Sequence, residues 1–177
     1  ELYRKVMIID EEAKDEVKLN YGDLLISVVE ELISSGATKE ALKFARSAER
    51  FHKKLIRDSP SNIEFKRGLA HSLYQLGIIY ESQGDLSRAL EMFEQDRAIS
   101  QSLTDLDPTN TDFKHDLANT LNAIGNIYDS QGDLNRALER FEQVLAVSQS
   151  LRELDPANTD FAFLLSRSFY QLGTVYE

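Results

Sequence analysis

The side chains able to do chemistry in this 177-residue chain are few and scattered. His52, His71 and His115 each lack a second ligand at i+3 or i+4, so no zinc-type pair forms. Serines such as Ser100 and Ser102 have no histidine in an arrangement that would activate a hydroxyl. Carboxylates such as Glu91 and Glu94 read as a solvated helix face, and no phosphate loop follows Gly84 or Gly132. Without cysteine there is neither a disulfide nor a thiolate metal site. The chain is therefore expected to be no enzyme, with no catalytic, metal or cofactor residues. What remains is recognition. Asn119, Asn122, Asn126 and Asp129 follow at steps of three, four and three, which sets them in one line along a helix. An amide donates and accepts, so such a row can pair with a peptide backbone whatever its side chains. Asparagine is a poor helix former, so three on one face ask for a reason. The plainer reading is an ordinary solvated face.

The elements that position this row are set by a repeat. Shifted by 48 residues, 61–108 falls on 109–156 with 29 of 48 positions identical, and Ser-Gln-Gly-Asp-Leu (82–86) returns unchanged at 130–134. A fixed period of this size marks a stacked repeat architecture. Phe65, Leu69, Leu73, Leu76 and Tyr80 form one apolar stripe of helical period. Gly84 ends that helix in a left-handed turn and Asp85 can cap the next. Leu86, Ala89, Leu90 and Phe93 open a second stripe, continued by Leu103 and Leu106 after a polar middle, and Asp107-Pro108 closes the unit. Each repeat is a helical hairpin.

The spacing Leu73-x2-Leu76-Gly77-x2-Tyr80-x8-Ala89-x3-Phe93, recurring as Leu121, Ile124, Gly125, Tyr128, Ala137 and Phe141, resembles the tetratricopeptide (TPR) pattern. HEAT repeats, of similar period, do not share it. Leucine replaces the family's usual tryptophan at Leu73 and Leu121, and the period is 48 where the family's is 34. The extra length divides into seven residues in each helix, close to two turns, so both stripes keep their face. The resemblance implies an all-α fold, an α-α superhelix built as a TPR-like solenoid of antiparallel hairpins. Gly77, Gly125 and Gly173 are expected where paired helices approach closely, with Ala89 and Ala137 opposite.

The resemblance also implies a function. First helices of successive repeats would line a concave groove that binds a peptide or a partner helix. Asn119, Asn122, Asn126 and Asp129 would lie on it. So would their counterparts at the repeat period, His71, Tyr74, Ile78 and Glu81, then Arg167, Tyr170, Thr174 and Glu177, with Asp23, Ile26, Glu30 and Ile33 in the first repeat. Tyr74 and Tyr170 would flank the asparagines. The family's chaperone-tail binders hold a carboxylate with lysines, and only Arg167 stands here as a cation, so that function is not carried over. The expected role is a protein-interaction scaffold with a protein or peptide partner. The alternative is a regulatory or sensor region of a larger enzyme, because similar arrays accompany caspase-like peptidase or kinase domains. A catalytic domain of the same polypeptide is then a further candidate partner.

The formal net charge is −10 and reads as evenly spread, with four Lys/Arg against eight Asp/Glu in both 61–108 and 109–156. That disfavours nucleic acid and an anionic membrane as partners. No apolar run approaches membrane-spanning length, and the cytoplasm is the default compartment. Residues 1–12 read as the end of a preceding repeat, 13–60 as repeat one, 61–108 as repeat two, 109–156 as repeat three and 157–177 as the first helix of a fourth. The whole reads as a window cut from a longer array. Helices are expected near 13–35, 38–57, 61–83, 86–105, 110–131, 134–153 and 158–177, after a stub before Asp10. In the last helix Phe161, Leu165, Phe169, Leu172 and Tyr176 form a stripe in want of a partner. At one position repeat two has Asp96-Arg97 where repeat three has Val144-Leu145. The plain reading is drift at a half-exposed site, the other a local polar contact, internal or to a partner.

Overall fold

The computed structural model describes residues 15–176. They form seven helices, α1 (Asp15–Ser34), α2 (Thr38–Asp58), α3 (Ile63–Ser82), α4 (Leu86–Leu106), α5 (Thr111–Ser130), α6 (Leu134–Leu154) and α7 (Thr159–Tyr176), with no strand among the described residues. The expected stub before Asp10 lies outside them. Helices α1 to α6 are 20 or 21 residues long and run unbroken through Leu69 and Leu117, as the two-turn extension requires.

Local sequence fixes the ends. Gly36, Gly84 and Gly132 take φ of 76°, 75° and 74°, a conformation a side chain would strain. After Gly84 the chain is closed by the Asp85 N–H donating to the Tyr80 carbonyl at 2.9 Å. The Asp85 carboxylate then caps α4 by accepting from the Arg88 N–H at 3.1 Å, and the Arg88 guanidinium lies 4.9 Å from the centre of the Tyr80 ring. Asp133, Arg136 and Tyr128 repeat this arrangement, with the guanidinium 4.4 Å from the ring centre. At the other end of each unit an asparagine caps the first helix. Asn110 Oδ1 accepts from the N–H groups of Asp112 and Phe113 at 3.0 and 3.1 Å, and Asn158 does the same for Asp160 and Phe161.

The chain divides into two compact units within α3, the first ending at Ile79 and the second beginning at Tyr80. The first unit is built on Leu25, Ala48, Phe51, Leu55 and Phe65, with the Tyr21 and Phe51 rings edge to face at 4.9 Å. His52 lies fully buried between α1 and α3. A Cβ built on either Gly22 or Gly68 would stand 2.4 Å from its Nε2, so both glycines make room for the ring.

The second unit packs α5 against α6 and α6 against α7 around Leu117, Leu121, Val144, Leu151, Phe161 and Leu164. Gly125 sits at a close crossing as expected. The neighbour is Phe141, whose ring atoms would lie 2.5 to 3.1 Å from an added Cβ. Gly77 is buried, but Gly173 meets nothing within 4 Å, because no described helix follows α7 to cross it. For the same reason the stripe on α7 is only half used. Phe161, Leu164 and Ser168 are buried, while Phe169 is 55% exposed.

The stripe of α4 also takes a different course. Leu106 is 62% exposed, and the buried line runs through Ala89, Phe93, Asp96, Ser100 and Leu103. The polar middle is thus inside. Asp96 is not a half-exposed drifted residue: its Oδ2 accepts from Thr120 Oγ1 on α5 at 2.5 Å and its Oδ1 from Ser100 Oγ at 2.8 Å. The contact is internal. It is one of three buried polar rungs joining a second helix to the next first helix, the others being His52 Nδ1 to Ser72 Oγ at 2.9 Å and Ser148 to Ser168 at 3.2 Å. Thr120→Val keeps the shape and deprives the buried carboxylate of a donor, so it should destabilise by about 1–3 kcal/mol. Asp96→Val, the residue repeat three carries, should restore much of that loss when combined with it. Urea midpoints of the three variants decide the matter, and additive losses would remove Asp96 from the rung.

Candidate partner-binding face

The asparagine row lies on α5, whose opposite side supplies Phe113, Leu117, Leu121, Ile124 and Tyr128 to the core. Asn119 and Asn122 are half-buried, and Asn126 and Asp129 exposed. Asn119 Nδ2 is 3.3 Å from His115 Nδ1, one turn before it. Asn126 Oδ1 accepts a hydrogen bond from Gln171 Nε2 on α7 at 3.1 Å. Arg167 is half-buried and Thr174 exposed on that helix, and Tyr170, at 73% exposure, offers an open aromatic surface. Glu177 falls outside the described residues.

Three polar atoms of this face are shielded from solvent without a hydrogen-bond partner: Asn122 Oδ1, Arg167 Nε and Gln171 Oε1. Asn122 and Arg167 each stand one turn before the Asn126–Gln171 bond on their own helices. A sheltered polar atom without a partner costs free energy until something bonds it. The face therefore holds an acceptor from an amide, an acceptor from a second amide and a cationic donor, all unmet.

Gln171 was not among the residues expected here. Its signal is Tyr-Gln-Leu-Gly, which occurs at 74–77 and again at 170–173. In the first unit Gln75 Nε2 donates to Glu30 Oε1 at 2.9 Å, the same contact across the same 45 residues. Thus a glutamine on a first helix ties down a row residue of the preceding one in both units.

In the first unit, α1 and α3 wall a cleft of about 390 Å³. The structure brings Asp23 and His71 together there with Glu16, Asn20, Glu64 and Arg67. Ile26 does not line this face, since it is buried in the core. Tyr74 and Ile78 are half-buried further along α3. Glu81, at the start of the second unit, is half-buried, and burial raises its carboxyl above the ordinary range. Among the described residues no three acidic or histidine side chains gather as metal ligands, and no helix is long and apolar enough to cross a membrane.

Comparison with known families matches a tetratricopeptide repeat to residues 72–107 and another to residues 117–155. Among solved structures, BtubC (BKLC) from P. vanneervenii is 22% identical with a TM-score of 0.69, over 99% of this chain and 63% of that one. PcrH, of Pseudomonas aeruginosa, in complex with the chaperone binding region of PopB, is 14% identical with a TM-score of 0.51, over 86% and 95%. The C-terminal TPR-containing domain of a Plasmodium falciparum protein described as FK506-binding is 16% identical with a TM-score of 0.50, over 93% and 97%. At these identities the likeness is one of fold. The chain spans less than two thirds of the length of BtubC. No curated protein gives a significant match. With its hairpins, its Gly-Tyr-Ala-Phe spacing and both family matches in register, the chain is a tetratricopeptide repeat protein.

Proposed function

We propose that this chain is a protein-interaction scaffold whose first helices hold a partner peptide or helix, with Asn119, Asn122, Asn126, Arg167 and Tyr170 as the contact surface of the second unit. The observation that carries this reading is the sheltered, unbonded set of Asn122 Oδ1, Arg167 Nε and Gln171 Oε1. A backbone N–H of a bound segment satisfies the amide oxygens, and a backbone carbonyl or carboxylate satisfies the guanidinium. Tyr170 then sets which side chains fit beside them, since its ring is open and carries a polar tip. In the first unit the Asp23–His71 cleft offers a surface of the same kind. PcrH, similar in fold, holds a segment of another protein, which is in keeping with this use of the architecture.

The test is a displayed random-peptide library panned against the chain, with the selected peptides titrated against wild type and Asn122→Ala/Asn126→Ala. Each lost amide is expected to weaken binding by roughly 0.5–1.5 kcal/mol. Added salt should have only a mild effect, because most of these contacts are uncharged. Undiminished affinity would take the site away from α5.

A further inference from the structure

The charge of the chain is not evenly spread, contrary to what its two close repeats suggest. Residues 13–60 carry nine Lys/Arg against eight Asp/Glu, where 61–108 and 109–156 each carry four against eight. Seven of those nine bases are on α2: Lys39, Lys43, Arg46, Arg50, Lys53, Lys54 and Arg57, against three acids, Glu40, Glu49 and Asp58. All seven bases are exposed. At 100° per residue they fall within an arc of roughly 100°, so they form one stripe about 27 Å long. The opposite side of α2 buries Ala41, Ala45, Ala48, Phe51, His52 and Leu55, which fixes the stripe outward.

A solvated helix of a net acidic protein would not be built this way. Lys39–Lys43, Arg46–Arg50, Arg50–Lys54 and Lys53–Arg57 are like charges four apart, and each such pair destabilises a helix. Three acids cannot balance seven bases within the helix. The acids edge the stripe, Glu49 on one flank, where it pairs with Lys53 at 2.6 Å, and Glu40 and Asp58 on the other. Phe44, 40% exposed on the other flank, adds apolar surface beside the charge.

We infer that the outer face of α2 is a second docking surface, separate from the first-helix face, for an acidic protein segment that presents carboxylates along one helical or extended edge. Charge complementarity gives the sign, and the three arginines give bidentate geometry suited to carboxylates. Width decides between polyanions. The stripe is one helix across and edged by Glu40, Glu49 and Asp58, so a duplex or a bilayer would bring its flanking phosphates against these carboxylates. A single carboxylate-bearing segment meets the stripe alone.

The experiment uses a fluorescent, alanine-based helical peptide of about 20 residues with glutamate on one face. Anisotropy should show binding at about 50 mM salt and a loss of about tenfold or more at about 300 mM. Lys43→Glu/Arg46→Glu/Arg50→Glu should lose binding to at least the same extent while the chain stays helical. If the reversals unfold the chain, the corresponding glutamine set serves in their place. Asn122→Ala/Asn126→Ala should bind as wild type, which separates this surface from the first-helix face. No binding by wild type, equal binding by the charge variants, or tighter binding of a short DNA duplex or of phosphatidylserine vesicles would overturn the proposal.

Discussion

Phe141→Ala should destabilise the second unit by about 3–5 kcal/mol, the range for removing a fully buried aromatic ring. The ring is 1% exposed and lies directly over Gly125, so nothing but a cavity replaces it. The converse change is also costly. An added Cβ at residue 125 meets three ring atoms within 3.1 Å, and Gly125→Leu should cost about 1–3 kcal/mol by overpacking. Because both losses arise in the same space, the double variant should be more stable than Phe141→Ala alone. Urea unfolding of the three variants checks this. Wild-type stability for Gly125→Leu would remove the residue from the helix crossing.

The second large effect is a pH dependence that comes from His52. Ser72 Oγ donates its single proton to the Gly68 carbonyl at 2.9 Å, so the 2.9 Å contact with His52 Nδ1 requires the imidazole to donate there. Nε2 is then bare, and it faces Gly22 and Gly68 with no space for water. Burial pushes the pKa from 6.5 down to about 4, partly opposed by the Ala48 carbonyl and by Asp23, with His71 adding to the depression. In the unfolded chain the ring takes up a proton near its ordinary pKa, while the folded chain refuses it until about pH 4. The unfolded state therefore binds more protons between these values, and stability falls as pH drops from about 6.5 towards 4. The loss attributable to this ring is on the order of 3 kcal/mol. Urea midpoints across that window for wild type and His52→Gln isolate it, since the carboxylates are common to both. Parallel curves would mean that His52 is charged in the folded protein.

How much of this was legible in the sequence depended on what the repeat repeats. The 48-residue period carries Gly84 and Gly132, the capping aspartates and the Gly125 crossing, and each is found where its spacing puts it. Residues that differ between copies were harder to read. Asp96 aligns with Ala48 and Val144, both buried, and that alignment marked an interior position more surely than its own polarity marked an exposed one. The basic stripe of α2 escaped because the charge was counted over the two close copies, 61–108 and 109–156, and neither carries such a stripe. Phe169 belongs to a stripe whose period marks an apolar face in want of a partner, and it stays 55% exposed because burial needs a neighbour as well as a pattern. Of the row itself, spacing alone put the asparagines on one face. The unbonded atoms beside Asn122 depend on Gln171 and Arg167 arriving from another helix, which no local pattern contains.

A partner held on the first-helix face is reported directly by the side-chain amide signals of the asparagines and glutamines. A ¹⁵N correlation spectrum of the chain, recorded with and without a saturating library-selected peptide, follows each of them. The expected result is that Asn122, Asn126 and Gln171 shift, as their oxygens and NH₂ groups take up new hydrogen bonds. Asn135 and Gln149, exposed on α6, should stay in place. Shifts confined to Asn135 and Gln149, with Asn122 and Gln171 unmoved at saturation, would contradict the account.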